Sequence, residues 1–340
     1  MKRIFGVFAA SFLAAGAPAF AADFYAGKSV SILVGAGAGG SYDVYARTVA
    51  RFMGEHIPGK PRIVPKNMTG AGSRVAANYV YNIAPKDGTI LATADQSMPL
   101  EQAVGDAGIT FDTRKFTWIG TPIYENNTLV TWHTSPVKTV EDAKRVEVAV
   151  GATGFNTSAQ YPQVMNALLG TKFKIILGYP GGNDVNLAME RGEVGARNNT
   201  WSSWKVTKPM WLANKDITII VQAGPKAADL PNVPSVEDVI PDPDNRQVVE
   251  LLVSGTRLGR PLATTPGVPE ERVKALREAF DAVMKDPDFL KEAANSSIDV
   301  DPVRGAEMQQ FVQKVLATPK HLAARARGPS CSTPPPFEVC

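Results

Sequence analysis

A glycine-rich stretch near the start of the chain is its strongest chemical signal. Gly35, Gly37 and Gly40 form a Gly-x-Gly-x-x-Gly pattern between the apolar β-type run Ser29–Val34 and a helical pattern that begins at Ser41. Glycines let the backbone approach a ligand closely, and a helix N-terminus adds free amide donors and about half a positive charge. The stretch is therefore suited to binding an anion, which could be a pyrophosphate or a carboxylate.

The dinucleotide interpretation of this motif has little further support. A dinucleotide site needs an acidic residue about 20 residues later, after a second strand, to bind a ribose hydroxyl. The first candidate, Glu55, lies in or just after the first predicted helix. We therefore expect a carboxylate ligand and no cofactor.

A second polar glycine loop covers Gly151–Ser158, after the strand-like run Glu147–Val150 and before a helical pattern that begins at Ala159. If two α/β units face each other across a cleft, both loops would direct main-chain amides into it. Hydrogen bonds to a charged group contribute roughly 1.5 to 3 kcal/mol each, so neutral donors can hold a buried carboxylate. The alternative is that both loops are only tight turns.

The N-terminus has the pattern of a secretory signal peptide. Lys2 and Arg3 precede an apolar run from Ile4 to about Ala15, and the small-x-small pattern ends at Ala21. We expect residues 1–21 to be removed and the mature chain to be soluble and periplasmic. The full chain has 36 Lys plus Arg and 33 Asp plus Glu. Removal of Lys2 and Arg3 leaves 34 basic and 33 acidic residues, which is a net charge of +1.

This near-neutral charge gives no argument for a nucleic-acid partner. The only cysteines, Cys331 and Cys340, fall in the last ten residues, so neither a Cys-based zinc site nor a disulfide framework can organise the fold. The three histidines, His56, His133 and His321, are far apart in the sequence, and no Gly-x-Ser-x-Gly nucleophile motif occurs. We therefore expect neither a metal site nor catalytic residues.

Strand-like and helical patterns alternate along the chain, with short connections, which predicts an α/β fold with parallel or mixed sheets. Strands are predicted at residues 29–34, 62–66, 89–93, 147–150 and 174–177. Helices are predicted from 41 to the Pro58-Gly59 stop, and at 74–83, 159–169, 185–191 and about 270–284. Residues 328–340 are rich in Pro and Ser, so we expect a disordered tail, and whether its two cysteines pair stays open.

Four ordered motifs resemble the receptors of tripartite tricarboxylate transporters, the Bug family of periplasmic solute-binding proteins. They are Gly39-Gly40-Ser41-Tyr42-Asp43, Asn67-Met68-Thr69-Gly70-Ala71-Gly72, Pro85-Lys86-Asp87-Gly88-Thr89-Ile90-Leu91, and Tyr179-Pro180-Gly181-Gly182-Asn183-Asp184 followed by Arg191-Gly192-Glu193-Val194. The resemblance implies a type II periplasmic-binding-protein fold, with two α/β lobes around a ligand cleft. Lobe 1 is predicted to comprise residues 22–125 and 250–327, and lobe 2 residues 126–249.

The resemblance also implies a function and a site. The ligand would be a di- or tricarboxylate or an aromatic acid, delivered to membrane transporter subunits by a monomeric receptor; a receptor for a sensor kinase and an exported enzyme are the alternatives. The ligand-binding residues it implies are Gly39, Gly40, Ser41, Asp43, Ala152, Thr153, Gly154, Asn156, Thr157, Ser158, Gly181, Gly182, Asp184 and Asn198.

Charged and aromatic residues near these loops have more ordinary interpretations. Asp43 and Asp184 could touch the ligand or only cap helices, because a carboxylate repels an anionic ligand. Arg74, Arg197 and Lys205 could be solvated surface charges, which is the commoner case, although the resemblance places Arg197-Asn198-Asn199 at the edge of the cleft. The neighbouring aromatics are expected to pack in the core more often than to line a ligand site; they are Tyr42, Phe155, Tyr161, Tyr179, Trp201 and Trp204.

Overall fold

A computed structural model describes residues 24–240 and 242–327. The predicted signal peptide and the predicted C-terminal tail lie outside the described residues. Within the described part, the chain forms two separate β-sheets with helices packed on them.

The first sheet has six strands in the order β2-β1-β3-β10-β4-β11. β1 runs parallel to β2 and β3, whereas β10 runs antiparallel to both β3 and β4. The strands are β1 (Ser29–Val34), β2 (Arg62–Asn67), β3 (Ile90–Thr93), β4 (Thr117–Thr121), β10 (Leu262–Thr264) and β11 (Val303–Arg304).

The second sheet has five strands in the order β7-β6-β8-β5-β9. β6 runs parallel to β7 and β8, and β5 runs antiparallel to β8 and β9. The strands are β5 (Asn127–Trp132), β6 (Val148–Gly151), β7 (Phe173–Ile176), β8 (Ala196–Thr200) and β9 (Ile217–Ala223).

The two sheets share one plan. Each has three parallel strands and one antiparallel strand beside the third of them. Beyond that strand lie β4 and β11 in the first sheet and β9 in the second. The antiparallel strand, β10 or β5, follows a passage of the chain from the other sheet. The carboxyl ends of the parallel strands lie at one edge of each sheet, where ligand sites of α/β proteins form. The lobe boundaries at residues 125 and 250 stay a prediction.

Helices connect the strands. The five predicted helices agree with the structure to within about three residues at each end, and the other nine described helices were not predicted. The long helices that begin at the glycine loops start at Ser41, Thr157 and Gly182. The helices are α1 (Ser41–His56), α2 (Arg74–Asn82), α3 (Met98–Ala103), α4 (Val140–Arg145), α5 (Thr157–Leu169), α6 (Gly182–Glu190), α7 (Trp201–Thr207), α8 (Pro209–Asn214), α9 (Val236–Val239), α10 (Pro243–Ser254), α11 (Glu270–Val283), α12 (Pro287–Asn295), α13 (Gly305–Leu316) and α14 (Lys320–Arg327).

Each sheet has its own apolar core. Val30, Ile32 and Val34 of β1 pack with Phe280 of α11 in a cluster under the first sheet, and all four are fully buried. A separate cluster under the second sheet joins β6 and β7 to α5 and α10, and it also takes in side chains of α14. At about 25 cal/mol per Å² of apolar surface, such burial holds each sheet and its helices together as a rigid support for the loops.

Within the described ranges, no helix combines the length and apolar character needed to cross a lipid bilayer.

Candidate ligand cavity between the two sheets

A cavity of about 450 Å³ lies between the loops of the two sheets. Its wall consists of segments that follow strand ends, which is where the polypeptide leaves the sheet and exposes main-chain donors. Those segments are residues 35–42 after β1, 69–73 after β2, 95–96 after β3, 153–158 after β6, 178–183 after β7 and 197–200 at the end of β8. Loops of both sheets therefore line one cavity.

The first-sheet wall presents the start of α1. Gly40 is the N-cap, in an extended conformation and without a side-chain cap. The amides of Ser41 and Tyr42 accordingly have no acceptor among the described residues, as expected for the first turn of a helix. Both residues line the cavity, so this wall carries uncommitted donors.

The second-sheet wall presents two helix starts of different character. Asn156 caps α5, where its side chain accepts the amide of Ser158 at 3.1 Å. Gly181 caps α6 without a side-chain bond, and the amides of Gly182 and Asn183 have no acceptor among the described residues. The start of α6 is therefore the one of the two that resembles the start of α1.

The loops of the two sheets face each other in pairs. A Cβ atom placed on Gly37 would lie 3.7 Å from the Cα of Gly181, and one placed on Gly154 would lie 2.9 Å from the amide nitrogen of Gly72. Both predicted glycine loops line the cavity. Within it, the first loop lies opposite Gly181, and Gly154 of the second loop lies opposite the Gly70–Ser73 segment.

Most of the residues predicted to bind ligand lie on this wall, and their role as ligand contacts stays a prediction. Those on the wall are Gly40, Ser41, Thr153, Gly154, Asn156, Thr157, Ser158, Gly181, Gly182 and Asn198. Those outside its lining are Gly39, Asp43, Ala152 and Asp184. Asn198 is buried, and its side-chain amide donates to the carbonyl of Thr157 at 2.9 Å, so it also ties β8 to α5.

Asp43 orders the first loop from behind the wall. Its carboxylate accepts from the amide of Gly39 at 2.9 Å, from the Arg47 guanidinium at 2.8 Å and from the Asn67 side chain at 2.9 Å. Burial opposes the ionised form, but these hydrogen bonds outweigh it and lower the pKa of Asp43. Asp184, by contrast, is exposed in the first turn of α6.

Asp95 lies on the wall, and sequence reasoning missed it. Its carboxylate accepts from the Thr157 hydroxyl at 2.8 Å and from the Ser97 amide and hydroxyl at 3.0 and 2.6 Å. Asp95 belongs to the first sheet and Thr157 to the second, so this contact joins the two halves. The Asp95 carboxylate therefore occupies the position beside the start of α5.

Two arginines on the wall are buried, and both escaped the sequence analysis as site residues. Arg260 is 2% exposed; its Nη2 lies 3.2 Å from Oε1 of Glu125 and donates to the hydroxyls of Ser41 and Thr200. Burial raises the pKa of Glu125, and the Arg260 charge opposes that effect. This pair links the start of α1 to the end of β8.

Arg197 is 7% exposed, so the expectation of a solvated surface charge is wrong. Its Nη1 donates to the side-chain oxygen of Asn186, and its Nε has no hydrogen-bond partner among the described residues. Burial lowers the pKa of Arg197 to about 9, with no carboxylate to offset it. The one sequence signal for Arg197 is its place in the segment Arg197-Asn198-Asn199, which the family resemblance puts at the edge of the cleft.

Arg74 is also not a solvated charge. It pairs with the fully buried Glu101 at 2.7 Å and with Asp106 at 2.9 Å, and it donates across to the carbonyl of Phe155 at 3.4 Å. Burial raises the pKa of Glu101 to about 7, although the Arg74 charge lowers it. Lys205 is about a quarter exposed and pairs with Asp299 at 2.5 Å.

The aromatic residues divide between core and wall. Trp204 and Tyr161 are buried in the clusters under the second sheet. Tyr42 and Tyr179 line the cavity, and the Tyr42 ring stacks on Arg260 at 4.2 Å. Among the described residues, His, Asp and Glu form no group of three that could hold a metal ion.

Solved structures with the same architecture are periplasmic binding proteins. The periplasmic binding protein BugD matches with a TM-score of 0.70 and 17% identity, over 88% of this chain and 96% of that chain. Rpa4515 of R. palustris with adipate matches with a TM-score of 0.70 and 18% identity, over 88% and 97%. MatC (Rpa3494) from Rhodopseudomonas palustris with bound malate matches with a TM-score of 0.67 and 19% identity, over 88% and 99%.

These matches confirm the predicted fold: the chain has the two-lobe α/β fold of periplasmic binding proteins, and the cavity lies between its lobes. No protein-family model and no curated protein sequence matches the chain.

Proposed function

We propose that this protein is an exported receptor that captures a small organic carboxylate between its two lobes and delivers it to a membrane transporter. The observation that carries the proposal is the cavity wall, where the unpaired first amides of α1 and α6 meet across the space between the two sheets. Main-chain donors at helix starts bind anions without the need for a reactive side chain.

The size and chemistry of the cavity fit such a ligand. Small-molecule sites usually measure about 300 to 1,000 Å³ and combine an enclosed space with a few convergent polar groups. At about 450 Å³, this cavity holds a small acid, and glycines and hydroxyl residues dominate the loops that surround it. Several charged hydrogen bonds at roughly 1.5 to 3 kcal/mol each would give micromolar affinity or better.

The similar solved structures support the same class of ligand. One of them holds adipate and another holds malate, and both molecules are dicarboxylates. BugD is described as a periplasmic binding protein, which agrees with the signal peptide predicted for residues 1–21. The resemblance of the sequence motifs to Bug-family receptors favours a tripartite transporter as the partner, and a sensor kinase is the alternative.

The wall also favours binding over catalysis. Its hydroxyl groups are engaged in structural hydrogen bonds: Ser158 donates to the Asn156 side chain at 2.6 Å, and Thr157 donates to Asp95. Within the described residues, neither of these hydrogen bonds goes to a histidine or lysine that would serve as a general base. We therefore propose that the captured acid leaves the protein unchanged.

Isothermal titration of the chain from Ala22 tests this function. Malate, adipate, citrate and benzoate are titrated into protein that has been unfolded, dialysed and refolded to remove any retained ligand. We expect at least one acid to bind with micromolar affinity and its uncharged amide to bind at least tenfold more weakly, because the amide lacks the anionic oxygens. No binding of any organic acid would contradict the proposal.

A further inference from the structure

Arg197 projects from a strand in the middle of the second sheet into the wall of the cavity. β8 pairs with β5 along its whole length and with β6 at Ala196, and the Arg197 side chain is 7% exposed. The guanidinium lies over the ring of Trp204, with its carbon 5.2 Å from the ring centre, and Trp204 is fully buried. The charge is therefore held in place by packing and enclosed on its far side.

The protein itself supplies Arg197 with no counter-charge. The one hydrogen-bond acceptor it has is the neutral side-chain oxygen of Asn186, and its Nε is left without a partner within the described residues. A buried charge normally costs several kcal/mol unless it is paired and fully hydrogen-bonded. An anion in the cavity would supply the counter-charge and the further hydrogen-bond acceptors that Arg197 lacks.

A second feature converges on the same point. Gly182, the first residue of α6, lies so close to Arg197 that a Cβ atom at Gly182 would collide with the guanidinium Nη2. The amides of Gly182 and Asn183 lack acceptors among the described residues, and both residues line the cavity. A planar carboxylate could accept from the guanidinium and from the helix amides together.

The other charged residues on or near the wall do not compete with Arg197 for an anionic ligand. Asp95 is already held by Thr157 and Ser97 at the start of α5, so it repels an anion from that end. Arg260 has Glu125 as its own counter-charge. Asp184 is exposed and lies outside the cavity lining. An incoming carboxylate therefore meets its most favourable potential beside Arg197.

We propose that Arg197 and the first amides of α6 form the subsite that binds a carboxylate of the ligand, with Arg197 as the residue that selects an anion over a neutral analogue. This deepens the proposed function and rests on it. Arginine rather than lysine is required here, since the planar fork of guanidinium donors matches a carboxylate and stacks on Trp204.

Titration of adipate and of its uncharged diamide, adipamide, into the wild-type chain and into Arg197→Gln tests the assignment; malate and malamide replace them if malate binds more tightly. We expect the variant to bind the acid at least tenfold more weakly, and to bind the diamide within twofold of wild type. Arg197→Lys should recover only part of the loss. Arg191→Gln, an exposed arginine just after α6, is the matched control and should change neither affinity.

Stability of the ligand-free protein separates this proposal from the proposed function. Because Arg197 carries an uncompensated charge, Arg197→Gln should melt at the same temperature as wild type or higher. A clear fall in the melting temperature would make Arg197 a structural residue and overturn the subsite, whether or not any acid binds. Equal loss of acid and diamide binding would also overturn it, whereas absence of acid binding to wild type would refute the proposed function itself.

Discussion

Arg260 and Arg197 are both buried on the wall of the same cavity, but only one of them has a counter-charge from the protein. The Nη2 of Arg260 contacts the Glu125 carboxylate and two hydroxyls, although its Nε and Nη1 have no hydrogen-bond partner among the described residues. Arg197 has one neutral amide and an aromatic ring. The difference teaches that burial alone does not define the role of a charge. Arg260, which pairs with Glu125, stabilises the fold, whereas Arg197, which has no carboxylate partner, is the residue that we propose binds the ligand.

The largest effect expected from this comparison is on stability. Arg260→Met leaves Glu125 buried without its counter-charge, and breaking a buried pair in this way costs about 3 to 5 kcal/mol. Arg197→Met removes an unpaired charge, so it should leave the free energy of unfolding unchanged or raise it. Urea unfolding of the ligand-free variants measures both. Equal destabilisation by the two substitutions would contradict the claim that Arg260 stabilises the fold and Arg197 does not.

A rescue experiment sharpens the first prediction. Adding Glu125→Gln to Arg260→Met removes the orphaned carboxylate, so we expect the double variant to recover part of the lost stability. If the double variant is no more stable than Arg260→Met alone, the unpaired Glu125 carboxylate is not the cause of the lost stability.

Glu101 extends the comparison to an acid whose partner compensates only in part. Its pKa is about 7 in the folded protein, against 4.5 when exposed, because burial outweighs the Arg74 charge. Between pH 4.5 and pH 7, Glu101 therefore stays largely protonated in the folded protein but is largely ionised in the unfolded chain. The resulting stabilisation is complete below about pH 4.5 and is lost as the pH rises through 7.

We expect the free energy of unfolding of wild type, relative to Glu101→Gln, to rise when the pH is lowered from 8 to 5. Urea unfolding at the two pH values measures this difference. Glu278→Gln is the control, since Glu278 is exposed and should show the same difference at both pH values. A pH-independent difference for Glu101→Gln would show that the Arg74 pair fully compensates the buried charge.

Gly182→Ala tests how tightly Arg197 is positioned. The added methyl group must displace the end of the guanidinium, which is flexible enough to move without unfolding the protein. We expect about a tenfold loss of carboxylate affinity with little change in stability, measured by titration and thermal melting. The control is the affinity for the uncharged diamide, which should stay within about twofold of wild type. Unchanged affinity in Gly182→Ala would place the ligand elsewhere in the cavity.

The smallest effect is expected at Asp43, whose charge is compensated by Arg47 and which lies outside the wall. Asp43→Asn weakens the bonds that order the first loop, and we expect a loss of about 1 kcal/mol in stability. Ligand affinity should change by less than about threefold, since no direct contact is lost. A much larger loss of affinity, measured by titration, would instead favour direct contact between Asp43 and the ligand.

The sequence was sufficient to predict what depends on local pattern. The β-loop-α order, the strands at Ser29–Val34 and Val148–Gly151, and the glycine loops all agree with the structure. What it could not predict depends on how the two sheets are placed. The approach of Gly37 to Gly181 is one example. The burial of Arg197 is another, since it depends on Trp204 and Asn186, which no local pattern places beside it.

A crystal structure of the chain from Ala22, grown with the tightest-binding acid, tests the central claim most directly. We predict that a carboxylate oxygen lies within hydrogen-bond distance of the Arg197 guanidinium and of an amide at the start of α6, with the rest of the ligand inside the cavity. An acid bound away from this cavity, or one whose carboxylates all avoid Arg197 and the helix amides, would contradict it.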